Sequence, residues 1–283
     1  MKEDEKMAYP KILTMQDISC VGQCSLTVAL PILSACGIET CILPSAVLST
    51  HTAGFKGYTF RDLTEDIPAI NAHWKKEGIL FQTIYTGYLG SAQQIACVKD
   101  LADSVLTENG LLIVDPAMAD NGKLYPGFDL AFVEEMKTLC ARADYVIPNL
   151  TEACLLTGVD YKTEYDQAYI EEILQKLTDL GCKNVIFTGV SYQENRTGVV
   201  VYEKGNYAYY EHEKLPNGCH GTGDIYASAF VGSLMNEKTA YEAAKIAADY
   251  TVACIRATAE EENHWYGAKF EPLLGDLIEK LHR

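Results

Sequence analysis

A doubly wound, mostly parallel α/β sheet with helices on both faces, three layers deep, is what this sequence predicts, and three observations predict it. Short apolar runs of strand length alternate with helix-length segments along most of the chain. The runs are apolar throughout, as parallel strands covered on both faces must be. Polar groups suited to chemistry follow each run, and an open α/β sheet gathers its ligands at the carboxyl ends of its strands.

Strands are expected at Lys11–Met15, Cys41–Leu48, Thr83–Gly87, Leu111–Asp115, Tyr145–Pro148 and Asn184–Thr188. Between them lie helical segments at Ser25–Cys36, Leu63–Glu77, Ala92–Asn109, Asp129–Ala141 and Ala168–Leu180, several of them stopped by glycine or asparagine. After Thr188 the pattern changes. Gly198–Glu203 and Tyr207–Lys214 read as an antiparallel hairpin turned at Lys204-Gly205-Asn206. Helices are expected at Asp224–Met235, Glu237–Arg256 and Gly267–Leu281. No repeat or long linker divides residues 1–283, so one domain is expected, with residues 1–9 as a flexible tail.

A net charge of −16 opposes capture by nucleic acid or an anionic membrane surface. It does not oppose a phosphate held by local N–H groups and a metal. Ten cysteines without a Cys-x-x-Cys pair read as reduced thiols, and the charged start Met1-Lys2-Glu3-Asp4-Glu5-Lys6 is unlike a signal peptide. A cytoplasmic chain with no membrane span is the expectation.

The chemistry concentrates in His220-Gly221-Thr222-Gly223-Asp224, which runs into an apolar helix with almost no charge before Glu237. Glycines let successive N–H groups face one point, and a helix start adds unpaired N–H groups at its positive end. Gly221, Thr222 and Gly223 therefore read as an anion hole for a phosphoryl group. Asp224, in the same turn, reads as the acceptor of a hydroxyl proton. A plain helix start, with Thr222 as cap, is the other reading. A helix that buries its own start favours a ligand there. The helix dipole is expected to keep Asp224 ionised and hence a weak base.

Asp115 closes its strand where a carboxylate can hold Mg²⁺ or its water shell, although Asp115-Pro116 is also an ordinary turn. Asn149 and Glu152 read equally as ligands of phosphate and metal water and as a helix capping box. His51-Thr52 and Gly87-Tyr88 offer hydrogen bonds and a flat face for a ring-shaped substrate. The polar segment Met118–Phe128 reads as a lid or as a plain exposed loop.

Together these residues resemble the ribokinase-like superfamily and, within it, the pyridoxal/pyridoxamine (vitamin B6) kinases, over about Ile12 to Arg256. Gly221-Thr222-Gly223-Asp224 is similar to the anion hole and catalytic aspartate of that superfamily. Ser49–Gly57 resembles the segment lining the pyridine site, which implies substrate contacts from His51 and Thr52, and Thr86-Gly87-Tyr88 implies one from Tyr88. Val114–Asp120 and the lid with Tyr125 resemble the metal and nucleotide segment. Asn149-Leu150-Thr151-Glu152 is similar to the Asn-x-x-Glu motif. The resemblance implies ATP near Asp115, Asp120, Tyr125, Asn149, Glu152, Thr188, Gly221 and Thr222, with Mg²⁺ at Asp115 and Glu152, and leaves room for a monovalent cation such as K⁺. It implies transfer of the γ-phosphoryl of ATP to the 5′-hydroxymethyl of a B6 vitamer by a homodimer.

Two departures stand out. Asp17 occupies a position where many B6 kinases carry serine; it is reminiscent of hydroxymethylpyrimidine kinases and is expected to contact the substrate. Ala119 replaces a glycine common in the lid. A hydroxymethylpyrimidine or sugar kinase is the alternative activity, and a non-catalytic B6-binding protein is disfavoured by three carboxylates near the phosphates.

Overall fold

In the computed structural model, which describes residues 9–216, 218–261 and 263–282, nine strands make one sheet in the order β11-β10-β9-β8-β5-β4-β1-β2-β3. Its parallel centre comprises β1 (Lys11–Ser19), β2 (Glu39–Leu48), β4 (Phe81–Thr86), β5 (Leu106–Val114), β8 (Tyr145–Val146) and β9 (Asn184–Gln193). Three strands run antiparallel at the edges: β3 (Phe60–Asp62) beside β2, and β10 (Arg196–Glu203) with β11 (Asn206–Glu213) beyond β9. Of residues 1–9, assigned above to a flexible tail, only Tyr9 lies among the described residues.

Successive side chains on the central strands enter opposite cores, as a period of two requires. Leu13, Ile84, Leu112 and Phe187 pack with α2 (Ile67–Lys76), α3 (Ala92–Val105), α4 (Leu130–Cys140), α5 (Leu150–Thr157) and α6 (Gln167–Leu180). Their neighbours Ile12, Tyr85, Ile113 and Ile186 pack with α1 (Leu26–Ala35), α7 (Thr222–Leu234), α8 (Ala240–Ala259) and α9 (Leu274–Leu281). This is the three-layer, ribokinase-like α/β/α arrangement. Strand order reverses at β1, with β2 on one side and β4 on the other, which opens a crevice at the carboxyl ends of β1 and β4.

Among the boundaries that differ from expectation, four have a local cause. The helix expected to reach Asn109 ends at Val105, where its buried stripe of Ile95, Val98, Leu101 and Val105 runs out; Leu106 instead pairs with Phe81 and begins β5. The helix expected from Leu63 starts at Ile67, with Pro68 in its first turn, behind the edge strand β3, whose three exposed residues carry no alternation. The helix α8 starts at a capping box of Thr239 and Glu242, not at Glu237. The last helix shrinks to α9 behind a 3₁₀ turn at Glu271–Leu273 containing Pro272. The segment read as lid or loop forms a small hairpin of β6 (Ala119–Asp120) and β7 (Lys123–Leu124). All ten cysteines are unpaired, and among the described residues no helix is long and apolar enough to cross a membrane.

Candidate active site

Gly221 caps α7 with a φ of +77°, and a methyl group there would stand 1.9 Å from the carbonyl oxygen of Gln23. Only glycine fits on both counts. No side chain caps the helix: Gly221 has none, and the hydroxyl of Thr222, inside the first turn, donates to the Cys219 carbonyl at 3.2 Å. The first backbone bond of α7 runs from the Ile225 N–H to the Gly221 carbonyl. The N–H groups of Thr222, Gly223 and Asp224 therefore have no backbone partner among the described residues. Gly223 is exposed, with no atom within 4 Å of where a side chain would begin, so open space borders this helix start.

Asp224 keeps part of its surface open while protein crowds it on the remaining sides, as befits a group on the floor of a cleft. Burial pushes its carboxyl up to about 7, the Ser25 N–H that it accepts pulls the other way, and the charge of Asp17 adds to the rise. The expectation that the helix start holds Asp224 ionised is thus corrected. A helix dipole is worth about 0.3–1 kcal/mol at a surface, less than one pKa unit, whereas desolvation moves buried acids by several. Asp224 is a better base near neutrality than its helix position alone implies.

Two further carboxylates face the same region. Asp115 is anchored through its N–H to the Thr86 carbonyl at 2.9 Å, and its carboxylate accepts from the Ala117 N–H. Glu152, 2% exposed, accepts from the N–H groups of Asn149 at 2.9 Å and Met118 at 3.1 Å. Burial raises both acids above the ordinary carboxylate range, and the charges of Glu152 and Asp224 raise Asp115 further. The capping box foreseen at Asn149 and Glu152 is present. It does more than cap. The Asn149 amide donates to the Ala119 carbonyl at 2.8 Å, so the pair ties α5 to the loop after Asp115. Thr188 joins them through a bridge to Asn149.

The β6–β7 hairpin is fastened by the Gly122 N–H to the Thr151 hydroxyl at 3.0 Å, while Asp120 folds onto Asn121 at its exposed tip. Tyr125 feels the charges of Glu152, Asp120, Asp115 and Asp224, and burial with those charges raises its phenol. The sequence-predicted phosphate residues thus converge.

The acceptor end is assembled differently. Tyr88 is half-buried against Phe128 at 5.4 Å between ring centres, and burial together with the charge of Asp17 raises its phenol. His51 is 4% exposed, and its Nδ1 accepts from the Ala53 N–H at 3.2 Å. That fixes the proton on Nε2, which donates to the Tyr266 carbonyl at 2.8 Å. Both ring nitrogens of His51 are therefore engaged with backbone, while Thr52 beside it is exposed. Asp17 is 5% exposed, with one carboxylate oxygen accepting from Ser19 and the other from Ser25.

Two contributors carry no motif. Ser25 holds a φ of 53° and ψ of −131°, a region costing a non-glycine residue about 1–3 kcal/mol. The segment 263–268 packs across the His51 loop: Trp265 lies 4.7 Å from Phe55 between ring centres, and the Gln23 N–H donates to the Tyr266 carbonyl. The aromatic run His264-Trp265-Tyr266 in a polar stretch was the available signal.

Unpartnered backbone amides, the Asp224 carboxylate and paired acids at the switch point of a ribokinase-like sheet fit a phosphotransferase acting on an alcohol group. A family model described as phosphomethylpyrimidine kinase matches residues 33–268, and the chain belongs to that family. It is 29% identical to pyridoxal kinase of Dictyostelium discoideum over 255 residues, 81% of this chain and 80% of that one. A Bacteroides thetaiotaomicron structure described as a phosphomethylpyrimidine kinase, solved with pyridoxal, is 39% identical with a TM-score of 0.90, covering 95% of this chain and 96% of that one. Pyridoxal kinase from Lactobacillus plantarum is 30% identical with a TM-score of 0.88, covering 96% and 98%.

Proposed function

We propose that this chain transfers the γ-phosphoryl group of ATP to the 5′-hydroxymethyl group of pyridoxal, pyridoxine or pyridoxamine. The observation that carries this reading is the pairing of Asp224 with the unpartnered amides of Thr222 and Gly223 at a helix start bordered by open space. The amides hold oxygens of the moving phosphoryl group, and Asp224 takes the proton of the hydroxyl that attacks it. A carboxyl raised to about 7 needs little driving force to accept that proton late in a largely dissociative transfer. Two aromatic pairs, Tyr88 on Phe128 and Phe55 on Trp265, offer flat faces that suit a pyridine ring. The pyridoxal-bound relative supports that acceptor class.

The residues present fit Mg²⁺. The charges that raise Asp115 are those of other carboxylates, Glu152 and Asp224, and such a cluster attracts a cation. Among the described residues no three acidic, histidine or cysteine side chains close around a metal. That suits an ion held by one or two carboxylates together with phosphate oxygens. Asp115 would hold it, and Glu152, already engaged by backbone donors, would act on its water shell. The ion supplies charge neutralisation on the phosphates.

Hydroxymethylpyrimidine phosphorylation is the second reading, favoured by Asp17 and by the family description. A panel of pyridoxal, pyridoxine, pyridoxamine, hydroxymethylpyrimidine and ribose with Mg-ATP, read by ADP release and product mass, decides between them. A B6 vitamer turned over at least tenfold more efficiently than the rest is the expected result. Preference for the pyrimidine overturns the vitamer assignment, and binding without ADP release overturns catalysis.

A further inference from the structure

Ser25 begins α1, since its carbonyl accepts from the Val28 and Ala29 N–H groups, yet its hydroxyl does not cap that helix. The hydroxyl instead donates to Asp17 Oδ1 at 2.5 Å. Ser19 donates to the other oxygen at 3.0 Å, and both bonds are buried. The backbone of Ser25 sits at φ 53° and ψ −131°, where glycine rests easily and serine does not. In that conformation the Ser25 N–H faces the Asp224 carboxylate and favours its charged form. The neighbouring Gln23 carbonyl lies against Gly221, so the same short segment borders the anion hole.

We propose that Asp17 is a positioning residue acting through Ser25: its carboxylate anchors the Ser25 hydroxyl, and that anchor keeps the strained Ser25 N–H aimed at Asp224. The role rests on the reading of Asp224 as the base. It differs from a direct contact between Asp17 and the substrate ring. Two independent features support it: both oxygens of Asp17 are engaged by serine hydroxyls, and the strained residue is the one that reaches the base.

The test compares Asp17→Ala, Ser25→Gly and the double variant with Mg-ATP and pyridoxal. Asp17→Ala is expected to lower kcat by about 10–100-fold, the scale of a misplaced catalytic group, with the pyridoxal KM within about twofold. Ser25→Gly placed in that background is expected to recover most of the loss, because glycine adopts the required backbone without an anchor. A rise in pyridoxal KM without rescue by glycine is the mark of direct ring contact and overturns the proposal. If Asp17→Ala does not fold, Ser25→Ala takes its place: the same kcat loss is expected, and unchanged turnover overturns the proposal. A crystal structure of ligand-free Asp17→Ala supplies a readout independent of activity. Ser25 is expected to relax to negative φ and withdraw its N–H from Asp224; a Ser25 that stays in place overturns the proposal. Should the wild type fail to phosphorylate pyridoxal, the substrate assignment falls while the crystallographic comparison still decides the role of Asp17.

Discussion

The two ends of the cleft are held by different means. At the phosphate end, each turn carries bonds of its own, with Glu152 and Asn149 bonded to each other three residues apart and the Gly221 carbonyl accepting from Ile225, and bonds over about thirty residues to Met118 and Ala119 dock the turns together. At the acceptor end, His51 reaches Tyr266 across 215 residues and His264 reaches Gln23 across 241. The phosphate end is therefore built of short segments with internal bonds of their own, brought together by docking. The acceptor end exists only once distant segments have docked. Chemistry and specificity accordingly answer to different kinds of mutation.

The largest expected effect belongs to the local end. Asp224→Asn should fold, bind both substrates and lose about 10²–10⁴-fold in kcat, the range for general-base help. Steady-state kinetics with both KM values check this, and near-normal turnover would remove the carboxylate from the reaction. A smaller effect separates the two glycines beside it. Gly221→Ala must adopt φ +77° and meets the Gln23 carbonyl at 1.9 Å, so it should lose about 1–3 kcal/mol or more of stability. Gly223→Ala meets nothing within 4 Å and should melt like the wild type, yet its methyl enters the open space at this helix start and should lower kcat about tenfold or more. Melting curves paired with kinetics tell the two apart; equal melting losses at both positions would mean that the space before Gly223 is not a binding hollow.

The tertiary end should respond in KM and stability. Removing the imidazole in His51→Ala leaves the Tyr266 carbonyl and the Ala53 N–H without their partner, at a cost of about 1–3 kcal/mol. The pyridoxal KM should rise several-fold while the ATP KM holds. An ATP KM that rises in step would show that the two ends are not separable.

That division also explains what the sequence revealed. Parallel strands and their ligand-bearing ends were legible because apolar runs and following polar residues are contiguous, and so were Gly221–Asp224, Asn149–Glu152 and Asp115. Ser25 was visible only as the start of a helix, since a positive φ and a bond to Asp17 arise from docking rather than from pattern. His51 was singled out for its type, but which partners engage its nitrogens depends on Tyr266 far along the chain. The edge strand β3 was missed because three exposed residues bear no periodicity, and the ionisation of Asp224 was misjudged because burial is not written in four residues.

The smallest expected effect is on stability against pH. Asp224 titrates near 7 in the folded chain and near the usual 3.9 in the unfolded one. Between those values the folded state binds the extra proton, so this group subtracts from stability progressively as pH rises from about 4 to about 7. Asparagine carries no such charge. Without nucleotide and with a chelator present, Asp224→Asn should therefore melt at a temperature that climbs relative to the wild type across that interval and levels off above it. A gain of a few degrees is expected for a chain of this size. Asp115 and Glu152 titrate in both proteins, and removing the Asp224 charge eases the ionisation of Asp115 in the same direction. A difference that stays flat from pH 4 to 8 would mean that Asp224 is solvated like a surface acid, and the contrast between a buried reactive end and a docked acceptor wall would lose its electrostatic half.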